Sequence, residues 1–174
     1  MTSEQTNHSV DRPSEKPGFG KRGELLVAVQ FALMIGFAML PVWHPGAGPA
    51  LLDATWLWRT IGAVILGLIA LALGGFGSHH IRNYLTPLPY PVDHSRLVQH
   101  GVYSIVRHPL YASLLFLGLA WTLYNLSLSH LIALTGCLWF FNYKASKEEA
   151  WLTERHPEYS DYARRVHKFI PWVY

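Results

Sequence analysis

Charge is what this sequence has least of. Only 14% of its 174 residues are Asp, Glu, Lys or Arg, against 51% hydrophobic residues and 24 aromatics (Trp 7, Tyr 9, Phe 8). A soluble domain carries about a quarter charged residues, so the deficit argues against one and points to lipid as the solvent. Cysteine is almost as scarce: Cys137 stands alone inside an apolar run, which excludes a disulfide scaffold. The same composition excludes a collagen-like repeat and a wholly disordered chain. Ten histidines include His79, His80, His94, His100 and His108, but no helical HxxxH pair and no HxxHH cluster, so no metal is expected. Cys137 and the serines have no base at a motif spacing, which removes support for covalent nucleophilic catalysis.

What is present is segregated. Residues 1–23 are rich in Ser, Thr, Glu, Pro and Gly and lack an apolar face, which predicts a disordered cytoplasmic tail. Leu25 to Trp43 contains no Asp, Glu, Lys or Arg. That stretch makes roughly 28 Å of helix, enough to cross a hydrocarbon core of about 30 Å. Prolines and glycines between Pro41 and Pro49 form a connector, and Trp56 and Trp58 look like interfacial anchors for a second span, about Leu57 to Gly77, with Arg59 snorkelling at its end. Pro109 to Tyr143 is a further 35 residues without a formal charge, too many for one span and interrupted by Asn125, Ser127 and Ser129. It reads as a helical hairpin with a short turn. His130 is then most simply a polar turn residue.

The fold class expected is all-α, an integral membrane bundle of about four transmembrane helices. A long cytoplasmic loop precedes the last hairpin, and a C-terminal cytoplasmic helical segment follows it. In domain terms this is a tail (1–23), two spans (24–78) and a third region (79–174), the last divided into loop 79–108, hairpin 109–143 and cytoplasmic helices 144–174. Lys and Arg precede the first span, lie between the second and third, and follow the fourth, while residues 44–55 and 124–130 have none. The positive-inside rule therefore puts both termini and the loop in the cytoplasm. The net charge of +3 is explained by topology and anionic lipid without a nucleic-acid partner.

A hairpin brings its ends together. Its entrance carries Arg107, His108, Pro109 and Tyr111; its exit carries Lys144, Lys147, Glu148 and Glu149. Such a mixture of charges at a membrane surface could hold a zwitterionic small molecule, carboxylates meeting its cations and Arg or His its anions. Each feature also has a purely structural reading. Lys144 and Glu148 are spaced as a helix-surface ion pair. Ser146 with Glu149 fits a capping box if a helix restarts there. Pro109 fits a first helical turn with His108 held outside it. In the loop, Tyr84 to Asp93 is extended by its prolines, and Gly101 and Tyr103 suit either a close approach to a ligand or a turn with an interfacial aromatic.

Within about Tyr84 to Pro171, roughly half the chain, lie five ordered blocks: Leu97-Val98-x-x-Gly101-Val102-Tyr103, Val106-Arg107-His108-Pro109-Leu110-Tyr111, Glu148-Glu149-x-x-Leu152, Pro157-Glu158-Tyr159-x-x-Tyr162 and Phe169-Ile170-Pro171. In these blocks the chain resembles the isoprenylcysteine carboxyl methyltransferases, membrane-embedded enzymes that use S-adenosylmethionine. The resemblance implies that Ser95, Arg96, Leu97, Val98, Tyr103, His108, Pro109, Leu110, Tyr111 and Glu148 or Glu149 contact the cofactor. From the residues themselves, Arg107, His108, Glu148 and Glu149 are the candidate catalytic residues, Arg107 and His108 fixing the cofactor or substrate anion and Glu148 or Glu149 facing the cofactor's cationic methionine portion. Lys144 falls where the eukaryotic enzymes have a substrate-contacting arginine, and Ser113 stands where a glycine is common. The expected reaction is methyl transfer to a carboxylate or other nucleophile of a lipophilic or small acceptor at the cytoplasmic face, with the bilayer itself as partner. Two alternatives compete: a sterol-type reductase using NADPH, whose relatives carry a similar RHPxY segment, and a non-enzymatic bundle subunit.

Overall fold

The computed structural model describes residues 23–81, 97–171, 173 and 174, so the expected tail, Ser95, Arg96 and the proline-rich Tyr84 to Asp93 stretch lie outside the described residues. Helix α1 (Glu24–Met39) starts behind Gly23, whose carbonyl accepts from the amides of Leu26 (3.0 Å) and Val27 (3.3 Å). It stops short of the Trp43 limit expected of the first span. Pro41 disfavours the helical region for the residue before it, and Leu40 is extended at φ −66°, ψ 130°.

Helix α2 (Pro49–Ile81) is longer than expected at both ends. Pro49 reads in sequence as connector, yet a proline is tolerated in a first helical turn, where its missing N–H has no partner to lose. His79 and His80 close the helix rather than open a loop. The hairpin is present: α3 (Pro109–Asn125), a turn in which Leu126 is left-handed (φ 46°, ψ 38°), and α4 (Leu128–Arg155), capped by the Ser127 side chain accepting from His130 N. Helix α4 passes without a break through the 143/144 boundary. Ser146 and Glu149 therefore form no capping box; Ser146 Oγ instead donates to Asn142 O (2.9 Å). A short α5 (Tyr159–Arg165) follows. Among the described residues all regular elements are helical, and the one isolated bridge pairs Val106 with His167 in parallel.

Helices α2 and α3 make the closest pairing. At one end Gly77 admits it: a Cβ there would sit 3.1 Å from Pro109 Cγ and 3.2 Å from Leu110 Cδ2. At the other, Arg59 donates to the carbonyls of Leu52 (2.7 Å) and Tyr124, satisfying an acceptor at the end of α3. The buried cluster joins Leu73 of α2, Val102 and Val106, Ala112 of α3, Phe140, Phe141 and Ala145 of α4, and Phe169. Outside it the usual arrangement is reversed. Phe31, Ile35, Leu71 and Trp139 are each more than half exposed, while Lys144 and His130 are 1% exposed. A periphery of large apolar side chains is what a lipid-facing bundle presents. Among the described residues, α2 is by itself long and apolar enough to cross a membrane.

Candidate functional site

The site begins with a backbone pairing. Arg107 N donates to His167 O (2.8 Å) and His108 N to Lys168 O (3.1 Å), so the segment after α5 lies against the entrance of α3. Pro109 then starts the helix. His108 occupies the N-cap position at φ −123°, ψ 66°, and its ring makes no capping bond. It turns toward α4 instead.

Glu148 and Glu149 are consecutive on α4, so their side chains diverge by about 100° around the helix. The buried His108 ring lies between them, with Nε2 3.0 Å from Glu149 Oε1 and Nδ1 3.5 Å from Glu148 Oε2. Both ring nitrogens donate only in the imidazolium form. Burial opposes that charge, but hydrogen bonding to Glu148 and Glu149, with their negative charge, outweighs it and holds His108 above its ordinary pKa of 6.5. Burial would likewise raise the Glu149 carboxyl, yet the bonds it accepts from His108 and Arg107 bring it down to about 2.

Glu149 is the hub. Its Oε1 accepts from Arg107 Nε (2.9 Å), and its Oε2 lies 3.6 Å from Lys168 Nζ. The Arg107 fork also donates to the carbonyls of Ala163 (2.8 Å) and Val166, binding the end of α5 to the same carboxylate. Lys168 donates in addition to Asn142 Oδ1 and Ser146 Oγ, both at 3.0 Å. Glu148 is less committed. It accepts from the Tyr111 hydroxyl and faces the more distant His108 nitrogen. A carboxylate offers about four lone-pair positions, so Glu148 retains capacity for a cationic group.

Tyr111 is held between two rings, His108 at 5.7 Å and Phe141 at 5.1 Å, both nearly parallel to it. Over its face, 5.1 Å from the centroid, stands Lys144 Nζ. Lys144 is not the exposed ion-pair lysine that its spacing suggested. It is buried and donates to Gln30 Oε1 of α1 at 2.5 Å.

Of the expected cofactor contacts, Leu97 and Val98 are half-buried, with Val98 packed on the core, while Pro109 is buried and Leu110 packs beside Gly77. Tyr103 is buried in a 3-10 turn (Gly101–Ser104); its hydroxyl points to Gly77 O (3.5 Å) and its carbonyl accepts from Tyr162 OH (2.6 Å). Gly101 is required there twice over, by a positive φ of 63° and by the His80 ring, 2.1 Å from where a Cβ would stand. The structure thus gathers Arg107, His108, Tyr111, Glu148 and Glu149 within hydrogen-bond reach, with Lys144 adjoining through Tyr111. Reasoning from the sequence missed Gln30, Asn142, Lys168 and Tyr162. For Gln30 a signal existed: it is the lone amide in an otherwise apolar stretch.

At the far end of the bundle, His130 is a polar residue of the turn, as expected, and it is buried there. Its Nε2 accepts from Trp121 Nε1 (3.1 Å), so Nδ1 carries the proton and donates to Ser127 Oγ (2.7 Å). That tautomer cannot deprotonate Ser127, and the pair is a staple for the turn. Among the described residues no three His, Cys, Asp or Glu side chains converge as metal ligands.

Comparison with known proteins agrees with the motifs. The phospholipid methyltransferase family model matches residues 58–159. Two rice proteins, from Oryza sativa subsp. indica and subsp. japonica, each called probable protein-S-isoprenylcysteine O-methyltransferase, are 29% identical over 158 residues, covering 86% of this chain and 80% of theirs. The cobalt-zinc-cadmium resistance protein CzcN of Cupriavidus metallidurans is 30% identical over 121 residues, 68% of this chain and 53% of that protein. The resemblance drawn from the ordered motifs is borne out.

Proposed function

Because this chain belongs to the phospholipid methyltransferase family and is a methyltransferase, we propose that it moves a methyl group from S-adenosylmethionine to a carboxylate, or another nucleophile, of a lipophilic or small acceptor at the cytoplasmic membrane face. One observation carries the reading: residues some forty positions apart, Arg107, His108 and Tyr111 against Glu148 and Glu149, converge in one partly buried polar cluster at the open end of a hairpin. Mixed charge of this kind suits a zwitterion that also bears a sulfonium.

The cofactor, when bound, supplies an electrophilic methyl. The protein's part is to bind, orient and exclude water, since an acceptor carboxylate is already ionised at pH 7 and needs no strong base. Glu148, with spare acceptor capacity, is the residue for the cofactor's cationic portion. Glu149 and Arg107 hold the cluster together, and His108 keeps the two carboxylates apart. Leu97, Val98, Tyr103, Pro109, Leu110 and Tyr111 line or shape the cofactor side.

The bundle carries this site in the membrane through four spans, α1, α2, α3 and the apolar first part of α4, with both termini and the connection between α2 and α3 cytoplasmic. The exposed apolar exterior supports this, as does the absence of Lys and Arg from the opposite connectors. Purified protein in detergent should bind S-adenosylmethionine, and membranes containing it should incorporate tritium from methyl-labelled cofactor into lipid-extractable product. Glu148→Gln and His108→Ala variants that remain folded should each bind at least tenfold more weakly. Normal cofactor affinity in both would overturn the assignment.

A further inference from the structure

Lys144 and Gln30 form a polar pair that the methyl-donor cluster does not account for. Gln30 lies six residues into α1, so its Cα stands about 9 Å along the helix from Glu24. From Val27 to Met39 it is the only side chain able to offer more than an apolar surface or a thioether. Lys144, from a helix 114 positions later, meets it at 2.5 Å, is 1% exposed, and stacks its ammonium over Tyr111. Tyr111 in turn donates to Glu148. The pair therefore adjoins the cluster on its membrane-ward side.

As a device for stability the pair is poor. Replacing buried polar and charged groups by apolar side chains of similar volume is often neutral or stabilising, and Lys144 has one neutral amide as its hydrogen-bond acceptor, with the Tyr111 face and the Glu148 charge a turn away as its other compensation. A neutral acceptor is, however, one that an anion displaces readily. A carboxylate adds to the hydrogen bond a full opposite charge that a neutral amide oxygen lacks, so it competes favourably for the ammonium. A displaced glutamine amide can rotate and donate its N–H to the arriving oxygen.

We propose that Gln30 is a specificity-determining residue of the acceptor subsite: its side-chain oxygen holds Lys144 where the carboxylate of a lipophilic acceptor binds, and its amide then donates to that carboxylate. This rests on the methyltransferase reading above and deepens it. In the transfer the acceptor's carboxylate oxygen forms the new C–O bond, the S–CH3 bond breaks, and its electron pair stays on sulfur, so the subsite needs to fix one oxygen and remove no proton.

The test uses the full-length protein in detergent, with N-acetyl-S-farnesylcysteine, palmitate and phosphatidylethanolamine as acceptors and the farnesylcysteine amide as the uncharged control. Methylation of a carboxylate probe and none of the amide is expected; methylation confined to phosphatidylethanolamine overturns the anion subsite. Gln30→Glu discriminates most sharply. A merely structural partner would pair better with Lys144 as a carboxylate and leave the acceptor KM unchanged. A subsite residue so changed would occupy the ammonium and raise the acceptor KM at least tenfold, with the Kd for S-adenosylmethionine within twofold of the parent. Gln30→Leu should raise the same KM severalfold, with a smaller effect on kcat. Gln30→Asn, the variant most certain to fold, should lie between it and the parent. Loss of cofactor binding in the parent protein would sink the methyltransferase site itself. Intact cofactor binding with an unmoved acceptor KM in the Gln30 variants would sink this inference alone.

Discussion

Glu149→Gln isolates the part of the cluster that the fold depends on. The substitution keeps shape and one acceptor oxygen but removes the charge opposite Arg107, His108 and Lys168. Holding this carboxyl near 2 rather than at its ordinary 4.5 corresponds to about 3 kcal/mol favouring the ionised form. Breaking a fully buried pair costs about 3–5 kcal/mol. Here the Arg107 and Lys168 side chains are 12% and 13% exposed, which lets water offset part of the loss and brings the expectation to about 2–3 kcal/mol. At about 2–4 °C per kcal/mol, the unfolding midpoint should fall by about 5–10 °C. The pH dependence adds a signature. Glu149 has a depressed folded pKa, so its contribution is full above about 4.5 and fades as pH falls toward about 2. His108 has a raised folded pKa, so its contribution is full below about 6.5 and is lost as pH rises through the folded value. The parent midpoint should therefore be highest between the two, and Glu149→Gln should lower it there while flattening the acid limb. Tryptophan fluorescence on heating, in one detergent across a pH series, measures this. A variant midpoint within 1 °C of the parent at pH 6, with an unchanged acid limb, would refute the hub role.

Two further outcomes follow from the packing. Gly77→Val sets new side-chain atoms against Pro109 and Leu110, which are parts of a ring and a helix start and have little room to yield; overpacking of this kind costs about 1–3 kcal/mol, and because α3 carries Tyr111 and its N-cap is His108 the thermal midpoint and cofactor affinity should fall together. Ser127→Ala removes the α4 cap and the acceptor of His130 Nδ1 at the far end of the bundle; a loss of about 1–2 kcal/mol in thermal stability should come with an unchanged cofactor Kd, and a shifted Kd would contradict the separation of turn and site.

The hairpin was legible in the sequence because its signals agree. Thirty-five residues without charge exceed one span, Pro109 suits only a first turn, and Ser127 is a preferred cap. The full length of α2 was not, because Pro49 serves equally in a connector and in the opening turn of a helix. Nor was the continuity of α4. Charge begins at Lys144, but Lys, Ala and Glu are all strong helix formers, so leaving the membrane does not require leaving the helix. At the site, hairpin closure alone put Arg107 and His108 beside Glu148 and Glu149. Which carboxylate each cation takes depends on side-chain rotamers and on the return of Val166 to Lys168 against the entrance, neither of which spacing encodes. Lys144 misleads for the same reason: lysines are almost never fully buried unless paired, and its partner is on a helix 114 residues earlier.

Two adjacent glutamates are not redundant in this arrangement. Consecutive helical residues point in different directions, so one imidazolium between them touches both while the remaining cations reach only one. Glu149, on the side of Arg107 and Lys168, is thereby bound to the carbonyls of α5 and to the segment that follows it, and its charge is already balanced. Glu148, on the side of Tyr111, accepts from a neutral hydroxyl and shares the His108 imidazolium at the longer distance, with neither Arg107 nor Lys168 on it, so it keeps more acceptor capacity for a ligand. The two substitutions should therefore separate by observable: Glu149→Gln acts first on stability, Glu148→Gln first on cofactor affinity. Lys168 also joins Glu149 to Asn142 and Ser146, so the segment after α5 and the body of α4 meet at the same carboxylate.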